Sequence, residues 1–272
     1  YPQPVWGGLH AFFVATGAPD LSPHPLGRRH IVVFGSDHGL CGTYNEGIAT
    51  HIAEALAGLA PEVSQIDCVG AQMADALRDR GLGPSQAFLP AASVDGLARL
   101  ANLLTQHIEV RQNASGSRGI SVELVYASRA ADGTQRPVLV PLLPLSEALV
   151  SDLRARPWLS RARPAFAMSP DSLFRALIRA HVFASLFRAA AEAMLAENAA
   201  RLAVMQQAER SVEDRLDALK FEANTLRQDE ITTELLDVIV GFEALGASDR
   251  RRRRKDAKAS DANNLPSERK QP

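Results

Sequence analysis

The sequence predicts an α/β domain with a mainly parallel sheet and flanking helices, followed by a very long C-terminal coiled-coil helix. Short apolar runs alternate with amphipathic helical segments between residues 30 and 145, a pattern typical of a parallel sheet covered by helices. Residues 171–240 contain neither glycine nor proline, although the chain has 18 glycines and 16 prolines. Within that stretch apolar residues recur every seven positions, which indicates a helix that supercoils around a partner.

The elements of the α/β part follow from local patterns taken in chain order. Short apolar runs predict the strands, and apolar residues in helical spacing predict the helices between them. Asp132 and Gly133 form a turn pair that favours a hairpin between the last two strands. The predicted strands are residues 31–34, 65–69, 86–89, 122–126 and 138–143, and the predicted helices pass through residues 48–56, 73–82 and 94–110.

The long helix is predicted to begin at Ser169 and Pro170, because serine caps free amides and proline at the first helical position needs no amide donor. Its first turns carry a wide apolar face that would cover a sheet or another helix. Farther along, the face narrows to an apolar seam formed by Met205, Val212, Leu219, Leu226 and Val240, and interrupted by Glu209 and Glu230. The sequence offers no second long helix, so we expect the seam to pack on a missing N-terminal segment or on another chain.

Four parts are predicted along the chain. They are a remnant after a missing N-terminal helix (residues 1–29), the α/β domain (30–168), the coiled-coil helix (169–245) and a basic, disordered tail (246–272). The tail has nine Lys or Arg against four Asp or Glu. Like charges at this density repel one another, and few apolar residues oppose them. Such a run could bind nucleic acid or anionic lipid, but without aromatic residues for base stacking a solvated tail is the favoured interpretation.

Composition excludes several classes of protein. No stretch approaches the roughly 18 uninterrupted apolar residues that a membrane-spanning helix needs. Two cysteines, Cys41 and Cys68, are too few to cross-link a secreted fold, and no secretory leader is evident, so a cytoplasmic location is predicted. Neither cysteine has a Cys or His at metal-ligand spacing, and the histidines are scattered, so we expect no metal site.

The loop after the first predicted strand, residues 35–42, lies where phosphate-binding loops occur in α/β proteins. It lacks the Lys-Ser/Thr ending of a P-loop, and its glycines do not have the dinucleotide-binding spacing. We therefore interpret it as a structural turn in which Asp37 and Asn45 cap free backbone groups. Asp37, His38 and Cys41 could instead form a thiol-nucleophile cluster. Adjacent residues rarely supply that geometry, so no catalytic or cofactor-binding residue is predicted.

A polar patch interrupts the narrow part of the long helix at Arg227 and Gln228, with Thr232 close by. A patch this polar cannot be buried in a simple coiled coil. It is either a solvated helix face or a contact surface for another protein, because Arg and Gln offer directional hydrogen-bond donors.

Three motifs occur together in one order. The loop reads Ser36-Asp37-x-Gly39-Leu40-Cys41-Gly42-x-x-Asn45, and the long helix carries Glu197-x-Ala199-Ala200-Arg201-Leu202-x-x-Met205 and Asn224-x-x-Arg227-Gln228-x-x-Ile231-Thr232. In these motifs the chain resembles the gamma subunit of F-type ATP synthases. The resemblance covers about residues 30–245.

This resemblance implies a rotating central shaft: an α/β domain near the membrane, and two long helices wound as an antiparallel coiled coil inside a hexamer of alpha and beta subunits. It implies that proton or sodium flow turns the shaft and changes nucleotide affinity at the beta subunits. The chain itself would perform no chemistry and hold no cofactor. The implied partners are the alpha, beta and epsilon subunits and the membrane ring of c subunits, with no nucleic acid, at the cytoplasmic face of the bacterial inner membrane.

The resemblance also assigns roles to residues. Arg227 and Gln228, with Thr232 close by, would reach a loop of a beta subunit, and Cys41 would lie near the lower lobes of the beta subunits. The structural turn would consist of Ser36, Asp37, Gly39, Gly42 and Asn45. The alternative from another class is a stand-alone α/β binding module with a helical oligomerisation arm and a nucleic-acid-binding basic tail.

Overall fold

In a computed structural model of the chain, residues 3–17, 28–58, 64–116, 119–129 and 134–262 are described. The strands are β1 (Arg29–Phe34), β2 (Ser64–Val69), β3 (Gln86–Phe88), β4 (Ser121–Arg129) and β5 (Gln135–Leu143). The helices are α1 (Gln3–Thr16), α2 (Tyr44–Leu56), α3 (Ala71–Arg78), α4 (Val94–Ala114), α5 (Glu147–Ala155) and α6 (Pro170–Ala262).

The five strands form one sheet in the order β3-β2-β1-β4-β5. β1 pairs in parallel with β2 and with β4, and β2 pairs in parallel with β3. β5 is antiparallel to β4 at the edge. The predicted mainly parallel sheet with flanking helices is therefore confirmed. The turn pair Asp132-Gly133 lies outside the described residues.

Alternate residues of the central strands supply the cores on the two sheet faces, as the two-residue period of a strand requires. On one face Val32 and Leu124 pack against α4 and against Leu186 of α6. On the other face Ile31 and Val33 pack against α2 and α3. Because both faces are covered, the strands read as continuous apolar runs.

A third core joins α1 and α5 to the first turns of α6. Leu9 and Phe12 of α1 pack with Leu153 of α5, and Leu173 and Leu177 of α6 lie against them. The sequence patterns predict no element in residues 1–29 or in α5, so α1 and α5 are additions to the predicted fold. The predicted wide apolar face at the start of α6 is confirmed, since it covers both the sheet and α1.

The described residues fall into two compact units, divided between Gln206 and Gln207. In the second unit the helix α6 continues through Ala262. Residues 246–262 are thus helical in the structure, whereas the charge run predicted a disordered tail. Alanine, arginine and lysine have high helix propensity, and the first proline after Val240 is Pro266. Residues 263–272 lie outside the described part.

The predicted seam of α6 is uncovered in the second unit. Val212, Leu219, Leu226 and Val240 are all more than half exposed. Exposed apolar residues in such a row mark a protein interaction surface. None of the helices in the described part is both long and apolar enough to cross a membrane.

Candidate functional site

The loop between β1 and α2 is held by hydrogen bonds within a short stretch of sequence. The backbone amide of Ser36 donates to Oδ1 of Asn45 at 3.0 Å, and Nδ2 of Asn45 donates to Oγ of Ser36 at 2.7 Å. The same hydroxyl donates to the carbonyl oxygen of His38 at 2.9 Å. Asn45 lies in the first turn of α2, so these bonds fix the loop to that helix.

A second set of contacts joins this loop to the loop after β2. Oδ1 of Asp37 accepts a hydrogen bond from the amide of Ala71, the first residue of α3, at 3.0 Å. Gly70 has φ +106°, and a Cβ placed there would lie 2.4 Å from the carbonyl oxygen of Ser36. A Cβ on Gly35 would lie 2.5 Å from the side chain of Met73. The two loops therefore approach so closely that only glycine fits at either position.

The remaining loop residues differ in what they contribute. Gly42 has φ +58°, a backbone conformation that favours glycine. Gly39 has no positive φ and open space around it, and nothing in the structure requires a glycine there. Leu40 is 66% exposed with φ +65°. A large apolar side chain held outward on strained backbone is a feature of binding loops.

Cys41 is buried, with 5% of its surface exposed. Its Sγ lies 3.7 Å and 3.6 Å from the carbonyl oxygens of His38 and Gly39. Burial raises the pKa of the Cys41 thiol above its ordinary value, and Arg201 of α6 offsets this only in part. A protonated thiol is a poor nucleophile. Direct contact between Cys41 and a partner stays a prediction, and the exposed side chain beside it is Leu40.

The predicted polar patch lies on the second unit, far along α6 in sequence. Arg227, Gln228 and Thr232 are all exposed. Oγ1 of Thr232 donates to the carbonyl oxygen of Gln228 at 2.8 Å, a bond within the helix. Within the described part of the chain, the side chains of Arg227 and Gln228 have no hydrogen bond or ion pair. Their donors are available to a partner.

The structure also brings together a polar cluster that the sequence patterns do not predict. It consists of His30 on β1, Gln65 and Asp67 on β2, and His107 and Arg111 on α4. Asp67 is fully buried and His30 is 2% exposed. The signal available in the sequence was Asp67 itself, a carboxylate in the middle of an apolar strand, where an unpaired charge is costly.

Asp67 is the centre of this cluster. Nη2 of Arg111 lies 3.2 Å from Oδ1, while Nε2 of His107 and Nε2 of His30 lie 2.7 Å and 3.1 Å from Oδ2. Burial favours the neutral carboxyl, but the neighbouring His30, Arg111 and His107 outweigh it and hold the pKa of Asp67 below its ordinary value. The cluster therefore joins two strands and a helix through one carboxylate.

Comparison with known proteins identifies the family. A family model described as ATP synthase matches residues 9–245. The ATP synthase gamma chain of Nitratidesulfovibrio vulgaris strain Miyazaki F is 30% identical over 237 residues, which is 83% of this chain and 79% of that relative. The chain belongs to the ATP synthase gamma family. The family match begins within α1, earlier than the start near residue 30 that the motifs indicated.

Another gamma chain and a solved ATP synthase structure are also similar to this chain. The gamma chain of Bartonella bacilliformis is 30% identical over 247 residues, covering 83% of this chain and 80% of the relative. A chain of the Euglena gracilis mitochondrial ATP synthase, solved with OSCP, F1 and the c-ring, is similar with a TM-score of 0.56. It has 16% sequence identity, and the match covers 91% of this chain and 89% of that one. At this identity the likeness shows a shared fold.

Proposed function

We propose that this chain is the central shaft of a rotary ATP synthase and couples proton or sodium flow to ATP synthesis or hydrolysis at the beta subunits. The observation that carries the proposal is the family match, which spans the sheet domain and α6 as far as Leu245. The exposed apolar seam on the second unit supports it, because a shaft helix is covered only when its partners are present.

The geometry supports a mechanical role. In this proposal the sheet domain contacts the epsilon subunit and the ring of c subunits, while the later part of α6 lies within the alpha and beta hexamer. Torque then passes along a helix whose first turns are anchored in two cores, by Leu186 on the sheet and Leu177 on α1. Close packing in those cores resists deformation, so the domain can transmit force. We place the complex at the cytoplasmic face of the bacterial inner membrane.

We expect the chain alone to be non-catalytic. The loop at residues 35–42 satisfies its own polar groups and joins α2 and α3, and it has no P-loop lysine. Calorimetry of the purified chain with Mg²⁺ and ATP is expected to give no stoichiometric binding and no hydrolysis. A site of micromolar affinity or better would contradict the non-catalytic assignment.

Arg227 and Gln228 are expected to contact a beta subunit. In the assembled complex, replacing both with alanine should weaken coupling or assembly, since each charge-assisted bond lost is worth roughly 1 to 3 kcal/mol. The measurement is ATP-driven ion pumping in membrane vesicles, beside ATP hydrolysis by the same preparation. A matched control replaces Arg99 and Gln106, two exposed residues of α4, with alanine.

The outcome separates the two interpretations of the patch. If the Arg227 and Gln228 variant loses pumping relative to hydrolysis and the α4 control does not, the patch is a subunit contact. If both variants pump and hydrolyse like the unmodified complex, the patch is a solvated helix face. No observation in the described part of the chain favours the alternative of a stand-alone binding module.

A further inference from the structure

Three side chains in the buried polar cluster converge on one small volume. One ligand atom from each of His30, Asp67 and His107 lies within 4.8 Å of the other two. His30 and Asp67 come from adjacent strands and His107 from the helix that covers them, so three elements fix their positions. This arrangement was not evident from the sequence, where the spacing of the histidines indicated no metal site.

Two hydrogen bonds compete for one ring nitrogen of His107. Nε of Arg111 lies 2.8 Å from Nε2 of His107, a contact in which Nε2 accepts and the ring proton is on Nδ1. The same Nε2 lies 2.7 Å from Oδ2 of Asp67, a contact in which Nε2 carries the proton and donates to the carboxylate. Nε2 cannot donate and accept in the same tautomer, so one of these two contacts is always left without a hydrogen bond.

His30 provides a second, independent observation. Only 2% of His30 is exposed, yet neither of its ring nitrogens has a hydrogen-bond partner among the described residues. Its Nε2 lies 3.1 Å from Oδ2 of Asp67, which is close enough for an ion pair but lacks the geometry of a hydrogen bond. A buried polar group without a partner is costly and requires an explanation.

We propose that His30, Asp67 and His107 bind one divalent transition-metal ion of the zinc type. Two imidazole nitrogens and one carboxylate oxygen form a ligand set that such ions prefer, at about 2.0 to 2.2 Å from the metal. An ion at this point accepts the lone pairs of all three side chains. It takes the place of a proton between His107 and Asp67, and it gives His30 the partner that it lacks.

Access and coordination are consistent with the site. A cavity of about 410 Å³ is lined by His30, Gln65 and Arg111 together with Arg28 and the end of α4. Solvent entering through it supplies the fourth ligand of a tetrahedral ion. His107 has 18% of its side chain exposed, so one of the three ligands is itself accessible to solvent.

Arg111 competes with the metal for His107 and also orients the carboxylate of Asp67. Its Nε occupies the lone pair of His107 that the metal needs, while its Nη2 holds Oδ1 of Asp67 at 3.2 Å. On metal binding Nε leaves His107, and Nη2 remains to orient the carboxylate as an outer-shell partner. The positive charge of Arg111 opposes the metal, so the expected affinity is micromolar rather than the tighter binding of structural zinc sites.

The test uses the full chain, treated with chelator and titrated with Zn²⁺ by calorimetry and with Co²⁺ by visible absorption. We expect one ion per chain. His107→Gln should weaken Zn²⁺ binding at least tenfold, and Arg111→Gln should tighten it at least tenfold because the competing cation is removed. His51→Gln, a partly exposed histidine of α2, serves as the matched control and should bind like the unmodified chain.

A second readout needs no substitution. Zn²⁺ should shift the Nε2 resonances of two histidines in the nitrogen NMR spectrum of the unmodified chain. Absence of stoichiometric binding both in the unmodified chain and in Arg111→Gln would overturn the proposal, leaving Arg111 as the only cation of the cluster. Binding that His107→Gln leaves unchanged, or shifts confined to other histidines, would also overturn it.

Discussion

Replacing Gly70 with alanine is expected to lower the free energy of unfolding of the sheet domain by about 3 to 5 kcal/mol, from backbone strain and overpacking together. The new Cβ would lie 2.4 Å from the carbonyl oxygen of Ser36, a backbone atom that cannot move alone. The residue would also hold φ +106°, which side-chain-bearing residues rarely adopt. Urea unfolding followed by circular dichroism measures the change.

Gly81→Ala is the matched control for Gly70→Ala. Gly81 has φ +74°, yet a Cβ there meets nothing within 4 Å. Its substitution is expected to cost about 1 kcal/mol from backbone conformation alone. The difference between the two variants isolates the contact between the loops after β1 and β2. Equal losses would show that this close approach does not constrain the fold.

Replacing Asp67 with alanine is expected to destabilise the domain by about 3 kcal/mol or more, because removing one member of a buried charged network leaves its partners uncompensated. Arg111 and the two histidines would lose the carboxylate that lies within 3.2 Å of each. The measurement is again urea unfolding, in the presence of chelator so that metal does not contribute.

Asp75→Ala provides the control for Asp67→Ala. Asp75 pairs with Arg78 on the exposed face of α3, with 61% of the Asp75 side chain accessible. Exposed ion pairs contribute about 0 to 1 kcal/mol, so little change is expected. If the two variants lose the same stability, the buried cluster does not stabilise the fold, and its carboxylate is better explained by ligand binding alone.

The sheet could be predicted from sequence because its signals are local. The run Ile31 to Phe34 is apolar throughout since both of its faces are covered, and the glycine-rich loop follows it directly. Helices α1 and α5 could not be predicted in the same way. Helix α1 is apolar on most sides and contains Pro4 and two glycines, so it has little periodic signal, and α5 has only nine residues in which to show one.

The end of α6 shows two local rules in conflict. A dense run of cations predicts disorder through repulsion, while alanine, arginine and lysine favour helix at each position. In the structure the helix continues through Ala262. The backbone of these residues therefore follows helix propensity rather than charge repulsion.

Whether a candidate site could be predicted depends on how far apart its residues lie in the sequence. Ser36 and Asn45 are nine residues apart, so the structural turn could be interpreted from one short motif. Asp67 and His107 are 40 residues apart on a strand and a helix, and only the folded sheet brings them together. Arg227 and Gln228 have no partner within the described chain, and their proposed role rests on family membership.

The most direct test of the shaft assignment is rotation of this chain in the assembled complex. A bead attached through Gln106→Cys on the exposed face of α4 reports its motion, and the native Cys41 and Cys68 are buried and remain unlabelled. We expect the chain to purify with alpha and beta subunits and the bead to turn in one direction while ATP is hydrolysed. A complex that hydrolyses ATP with a stationary bead, or a chain that does not associate with alpha and beta subunits, would contradict the assignment.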